Sequence, residues 1–132
     1  MIFGIGADLC DVRRIAALCE RRGERFAEKV LGADELPVFR ARLARVPAQC
    51  LRNLATRFAA KEAFAKAIGT GVRAPMTWHA CQVLAAASGQ PTIVLQGALS
   101  AWFAARHLRA HVSLSDEIDT VAAFVVVETK AP

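Results

Sequence analysis

Apolar and polar positions change period twice along this chain. Positions 2–9 alternate, with Phe3, Ile5, Ala7 and Leu9 on one side and Ile2, Gly4, Gly6 and Asp8 on the other, which predicts a buried strand. Asp11–Arg22 turns helical, with Val12, Ile15 and Leu18 inward and Arg13, Arg14, Arg21 and Arg22 largely outward, and Gly23 ends it. A further turn or two over Glu24–Leu31 and a helix over Ala33–Ala44, with Leu36, Phe39 and Leu43 in register, lead to Pro47. The longest periodic stretch opens near Pro47–Gln49 and stops at Gly69. Leu51, Leu54, Phe58, Ala65 and Ile68 recur there as one stripe. Beyond it the period returns to two. Thr77–Ala87 and Pro91–Leu95 flank Ser88-Gly89-Gln90 as a hairpin, and Gly97–Leu108 reads as helix. His111–Ser115 and Val121–Glu128 pair across an acidic turn. The unbroken run Val125–Val127 marks a central strand or a subunit contact.

Composition narrows the class. At 132 residues, 55% hydrophobic, with mean hydropathy +0.31, the chain is expected to be one domain, residues 1–132, apolar enough to hide surface in an oligomer. No run approaches the roughly 18 apolar residues of a membrane span. The opening MIFGIGADLCD has no basic n-region and an early acid, so a strand is expected there, not a signal peptide. Cys10, Cys19, Cys50 and Cys81 have neither C-x-x-C nor zinc-ligand spacing, and reduced thiols in a cytoplasmic protein are expected. The net charge of +5 is lopsided: residues 1–66 hold 13 Lys/Arg against 8 Asp/Glu, and residues 67–132 hold 4 of each. A basic N-terminal half implies a polyanionic partner, whether nucleic acid, an anionic membrane or an acidic protein. The basic stretches lack interleaved stacking aromatics, which disfavours single-stranded nucleic acid.

Three polar groups interrupt this apolar pattern. The stripe of the long helix, continued from Phe58 toward Ala65, passes through Glu62, and a carboxylate there is costly unless paired. Lys66 lies one turn on and Lys61 flanks the stripe. A solvated Glu62–Lys66 pair is the commonplace reading, and the placement of Glu62 beside Phe58 and Ala65 argues against it. Gly69-Thr70-Gly71 then stops the helix in a turn that lets backbone approach a ligand. Asp8 ends the strip of Gly4 and Gly6, either as a functional acid or as the cap of the next helix, a role that Asp11 would fill equally well. The third glycine of a dinucleotide-binding fingerprint is missing, because position 9 is Leu. In the late strand His111, Ser113 and Ser115 share a face, which suits an anion or a proton transfer. Two carboxylates with lysines nearby equip a chain to hold a hard divalent cation on phosphate oxygens.

GIGADLCDVRRI, RFAAKEAFAKAIGTG and HVSLSDE, in this order and at these spacings, resemble the holo-[acyl-carrier-protein] synthases, the small bacterial class of 4′-phosphopantetheinyl transferases. The resemblance covers essentially the whole chain. It implies an α+β fold, a small antiparallel sheet packed on a long central helix, assembled as a homotrimer with sites at subunit interfaces. It implies Mg²⁺-dependent transfer of 4′-phosphopantetheine from coenzyme A to a serine of apo acyl carrier protein, in fatty acid biosynthesis, with release of adenosine 3′,5′-bisphosphate. Asp8 and Glu62 match the metal-binding acids, and Lys66 and Lys61 the lysines that contact phosphate. His111 matches the histidine near the nucleotide, and Gly69, Thr70 and Gly71 the turn lining the coenzyme site. Glu62, Lys66 and His111 are the catalytic candidates. The base is open among Glu62, His111 through water, and a water at the metal. Arg13, Arg14, Arg21, Arg22 and Arg25 fall where the family docks the acidic carrier protein. The sequence departs from the family at Asp11, one methylene shorter than the usual Glu, and in a longer Leu36–Arg52 region. The alternative is a basic oligomeric nucleic-acid-binding module without catalysis. The resemblance implies no nucleic acid and no membrane partner.

Overall fold

The longest periodic stretch is a 22-residue helix, α4 (Pro47–Ile68), and the rest of the chain is laid against it. The computed structural model describes residues 1–131. Strand β1 (Ile2–Asp11) leads into α1 (Val12–Arg22), α2 (Arg25–Val30) and α3 (Leu36–Leu43). After α4 come β2 (Cys81–Ala85), β3 (Pro91–Leu95), α5 (Gly97–Ala105), β4 (Leu108–Asp116) and β5 (Thr120–Thr129). The strands form an antiparallel sheet in the order β1-β5-β4 and a separate β2-β3 hairpin. The apolar run Val125–Val127 lies in the central strand, as its composition predicts. The architecture is α+β, and the expected hairpins and helices stand close to the expected boundaries.

The packing of β1 corrects the expectation of a buried strand. Its apolar side is open, with Ile5 and Leu9 58% and 72% exposed, whereas the glycine side faces α4. A Cβ on Gly6 would stand 1.9 Å from the Ala63 carbonyl oxygen, and one on Gly4 equally close to that of Ala67. Bare strand backbone lets the helix come in against the sheet, and alternation then turns Ile5, Ala7 and Leu9 outward. Pairing sets Phe124 beside Ala7 and Ser113, and Val126 beside Ile5 and His111. Phe124 is also on the outer face, 45% exposed, so the sheet carries an uncovered apolar surface. The inner face holds Val121, Ala123, Val125 and Val127 against α4, where Ala59, Ala63 and Ala67 keep the approach close.

The periodicity of α4 also resolves differently. Leu54, Ala65 and Ile68 are buried, but Leu51, Phe58 and Glu62 are only partly covered and Lys66 is exposed. Glu62 therefore lies on the open flank of the helix and not on a core-facing stripe. In α3 Phe39 is buried and Leu36 half-buried, while Leu43, expected in register with them, is exposed.

Candidate active site

Local structure frees Asp8 for another role. The helix cap is Asp11, whose Oδ1 accepts from the Arg13 backbone N–H at 2.9 Å and whose carboxylate also pairs with the Arg13 guanidinium. Capping of this kind stabilises a helix by about 1 kcal/mol. Asp8 sits three residues earlier on the glycine face of β1, the face that meets α4. Because the strand crosses the open flank of the helix there, residues 54 positions apart in sequence share one site.

The geometry of that site overturns the commonplace reading of Glu62 and Lys66 as an ion pair. Lys66 Nζ donates instead to Asp8 Oδ1 at 3.2 Å and to the Ala7 carbonyl at 3.0 Å. Glu62 remains without a partner of this kind among the described residues. Partial burial raises its pKa, the Asp8 carboxylate adds to the rise, and Lys66 and Arg14 oppose it. The one lysine bonds Asp8 and leaves the second carboxylate, Glu62, without a hydrogen bond to a cation among the described residues. A hollow of about 610 Å³ continues from Asp8 and Lys66 around the edge strand to Ser113, Ser115 and Phe124 on the outer face.

Several expected contributors lie near. Gly69 caps α4 in the left-handed region at φ 83°, its N–H donating to the Ala65 and Lys66 carbonyls, and the Gly71 N–H returns to Ala65. This turn directly follows the helix end that carries Lys66. The Arg14 guanidinium stands 5.6 Å from the centre of the Phe58 ring, one turn of helix from Glu62. Arg13, Arg21, Arg22 and Arg25 are exposed, as a docking face requires.

Two expected contributors are placed elsewhere. Lys61 is fully buried, and its ammonium donates to Glu35 Oε1, to the Val30 carbonyl at 2.6 Å and to the Trp78 carbonyl at 2.9 Å. All three of its hydrogens are spent inside the protein, so the expectation that Lys61 contacts phosphate is corrected. His111 lies on the outer face of the sheet, with Nε2 3.1 Å from Glu128 Oε1, while Asp8 faces α4 from the other side. Within one chain the sheet separates His111 from Glu62.

The residue missed in the sequence is Glu35. It is buried, it takes Lys61 and the Gly32 N–H on Oε1, and it takes the Val83 N–H on Oε2. Its only sequence signal is the second acid of Asp34-Glu35, between Ala33 and Leu36 just before a helix. A second missed feature is an aromatic ledge beside the site, where Trp78 stacks on Phe58 at 5.3 Å and Phe26 tilts against it at 5.9 Å. The four cysteines are free thiols, and burial pushes Cys81 up to about 12.

The chain belongs to the 4′-phosphopantetheinyl transferase superfamily, whose model matches residues 4–124. It is 67% identical to the holo-[acyl-carrier-protein] synthase of Methylibium petroleiphilum, over 98% of each chain. The crystal structure of holo-[acyl-carrier-protein] synthase from Neisseria meningitidis superposes with a TM-score of 0.89 at 42% identity, covering 98% of this chain and 100% of that one. A Bacillus anthracis holo-(acyl-carrier-protein) synthase in complex with CoA (3′,5′-ADP) gives 0.82 at 28% identity, covering 98% and 99%.

Proposed function

We propose that this chain transfers the 4′-phosphopantetheine arm of coenzyme A to a serine hydroxyl of apo acyl carrier protein, with Mg²⁺ held at Asp8 and Glu62. The observation that carries the reading is the convergence of Asp8, Glu62 and Lys66 at one partly shielded site in a chain of this family. The donor set fits a hard cation: two carboxylates crowd together with only one lysine between them, and Mg²⁺ takes one or two protein carboxylates beside waters and substrate phosphates. Once bound, the cation would offset charge on the pyrophosphate oxygens.

The chain's own groups supply the remainder. Lys66, on a flexible and half-exposed stem, donates to phosphate and offsets charge on the departing adenosine 3′,5′-bisphosphate. The serine oxygen forms the new bond to phosphorus as the pyrophosphate P–O bond breaks. The serine proton goes to a base at the site, for which Glu62, His111 through water and a water at the cation are the candidates. The turn through Gly69, Thr70 and Gly71 offers backbone close to the coenzyme. The basic α1–α2 face, with Arg13, Arg14, Arg21, Arg22 and Arg25, receives the acidic carrier protein. Copies of the chain cover the outer sheet face around Ile5, Leu9 and Phe124 as a homotrimer, in which His111 serves the site of a neighbour across the interface. The enzyme works in the cytoplasm, and among the described residues no helix is long and apolar enough to cross a membrane. No observation favours the nucleic-acid-binding alternative.

Intact mass of apo acyl carrier protein, after incubation with this protein, coenzyme A and Mg²⁺, tests the reading. A gain of one phosphopantetheine, lost with EDTA, is expected. An unchanged mass with folded carrier protein overturns it.

A further inference from the structure

A second cleft, between α3 and α4, lies on the far side of α4 from Glu62 and is not used by the reaction. It encloses about 410 Å³. Leu31, Phe39 and Leu54 wall it, and Asn53, Arg42 and Arg57 bring an amide and two guanidiniums. Asn53 is nine residues before Glu62, about half a turn round the helix from it.

The acids at this cleft are already engaged. Glu35 holds Lys61 and two backbone N–H groups, and Asp34 Oδ2 accepts from Gln82 Nε2 at 2.9 Å. Arg57 makes one side-chain hydrogen bond, from Nη1 to Thr56 Oγ1 at 3.1 Å. Among the described residues neither Arg57 nor Arg42 is in an ion pair. Burial pulls the Arg57 guanidinium down, Glu35 offsets part of that, and Arg42 adds to it, although an arginine stays charged throughout. Two cations lining one cleft, neither of them in an ion pair, are relieved by an anion, and the guanidinium fork suits a carboxylate. Asp34 and Glu35 in the same lining penalise a dianion more than a monoanion. The remaining wall is largely aliphatic, and the volume falls within the range of small-molecule sites, about 300–1,000 Å³.

We propose that this cleft is a second ligand site, for a single-tailed amphipathic carboxylate, with its headgroup on Arg57 and Arg42 and its alkyl tail among Leu31, Phe39 and Leu54. The site is separate from the catalytic one and stands independently of the transferase reading. Calorimetric titration of the full chain with octanoate tests it. One saturable site per chain is expected, with affinity unaltered by excess coenzyme A and weakened about tenfold or more in Arg57→Gln and Arg42→Gln, as for loss of a charge-assisted hydrogen bond. Octan-1-ol, with the same tail and no charge, should bind weaker by a similar factor. Arg42 is exposed, so its variant reads the site even if Arg57→Gln fails to fold. Absence of saturable binding at millimolar octanoate, full affinity in Arg42→Gln, equal binding of octan-1-ol, or displacement by coenzyme A would each overturn the proposal. Tighter binding of octyl phosphate would overturn the monoanion assignment.

Discussion

Glu62 shows how a neighbour rewrites the chemistry of a single side chain. Its pKa is raised by partial burial and then by Asp8. A folded-state rise means that the native protein holds the proton more tightly than the unfolded chain. The stability from this group is full below the unfolded value and is lost as pH rises through the folded one. Asp8→Asn removes the second cause, so the Glu62 carboxyl should titrate lower in metal-free protein, by ¹³C NMR, and the loss of stability with pH should shrink in urea midpoints. An unmoved Glu62 titration would separate the two acids. Lys66, by contrast, answers to Asp8 although Glu62 is four residues away on its own helix, because the strand brings a carboxylate and a carbonyl together at the ammonium.

At the scale of elements, the approach of β1 to α4 sets the site. Gly6→Ala places a methyl in the Ala63 carbonyl, which must push strand from helix. A cost of about 1–3 kcal/mol is expected for such overpacking, read from denaturant midpoints, together with lost turnover because Asp8 moves with the strand. The Lys61–Glu35 pair ties α4 to the end of α2, to the start of α3 and to the Trp78 backbone. Lys61→Met strands a buried carboxylate and should cost about 3–5 kcal/mol. Lys61→Met with Glu35→Gln should recover part of it in the same measurement. A phosphate-binding role would predict the reverse pattern, with stability kept and coenzyme A affinity lost.

At the scale of the whole molecule, one chain leaves an apolar face and a basic face open. The apolar sheet face around Phe124 and Leu9 is exposed in one chain. Phe124→Glu should convert an assembled protein to monomers by light scattering, and the monomer should lose activity if His111 acts across the interface. On the basic face, Arg21 and Arg22 close the last turn of α1, away from the Phe58 ring that Arg14 covers. Arg21→Glu with Arg22→Glu should raise KM for carrier protein about tenfold and leave KM for coenzyme A unchanged, the signature of a docking surface.

Much of this protein was legible in its sequence, and the remainder has identifiable reasons. Local period and punctuation determined the elements: Pro47 and Gly69 bound α4, Ser88-Gly89 turns the first hairpin, and Val125–Val127 marks the central strand. Spacing singled out Asp8, Glu62 and Lys66, since an acid on a glycine strip and an acid beside apolar helix positions are each locally anomalous. What sequence alone left undecided was which side of each element is inside. Alternation in β1 says only that Phe3, Ile5, Ala7 and Leu9 share a face. The close approach of α4 at Gly4 and Gly6 decided that this face points outward. Likewise the motif matches both Lys61 and Lys66 to phosphate, and only the tertiary fold, by burying Glu35 and two carbonyls around the first and leaving the second at the strand edge, made Lys61 structural. Periodicity is a property of one element, whereas the partner of a charge is set by what a distant part of the chain brings to it.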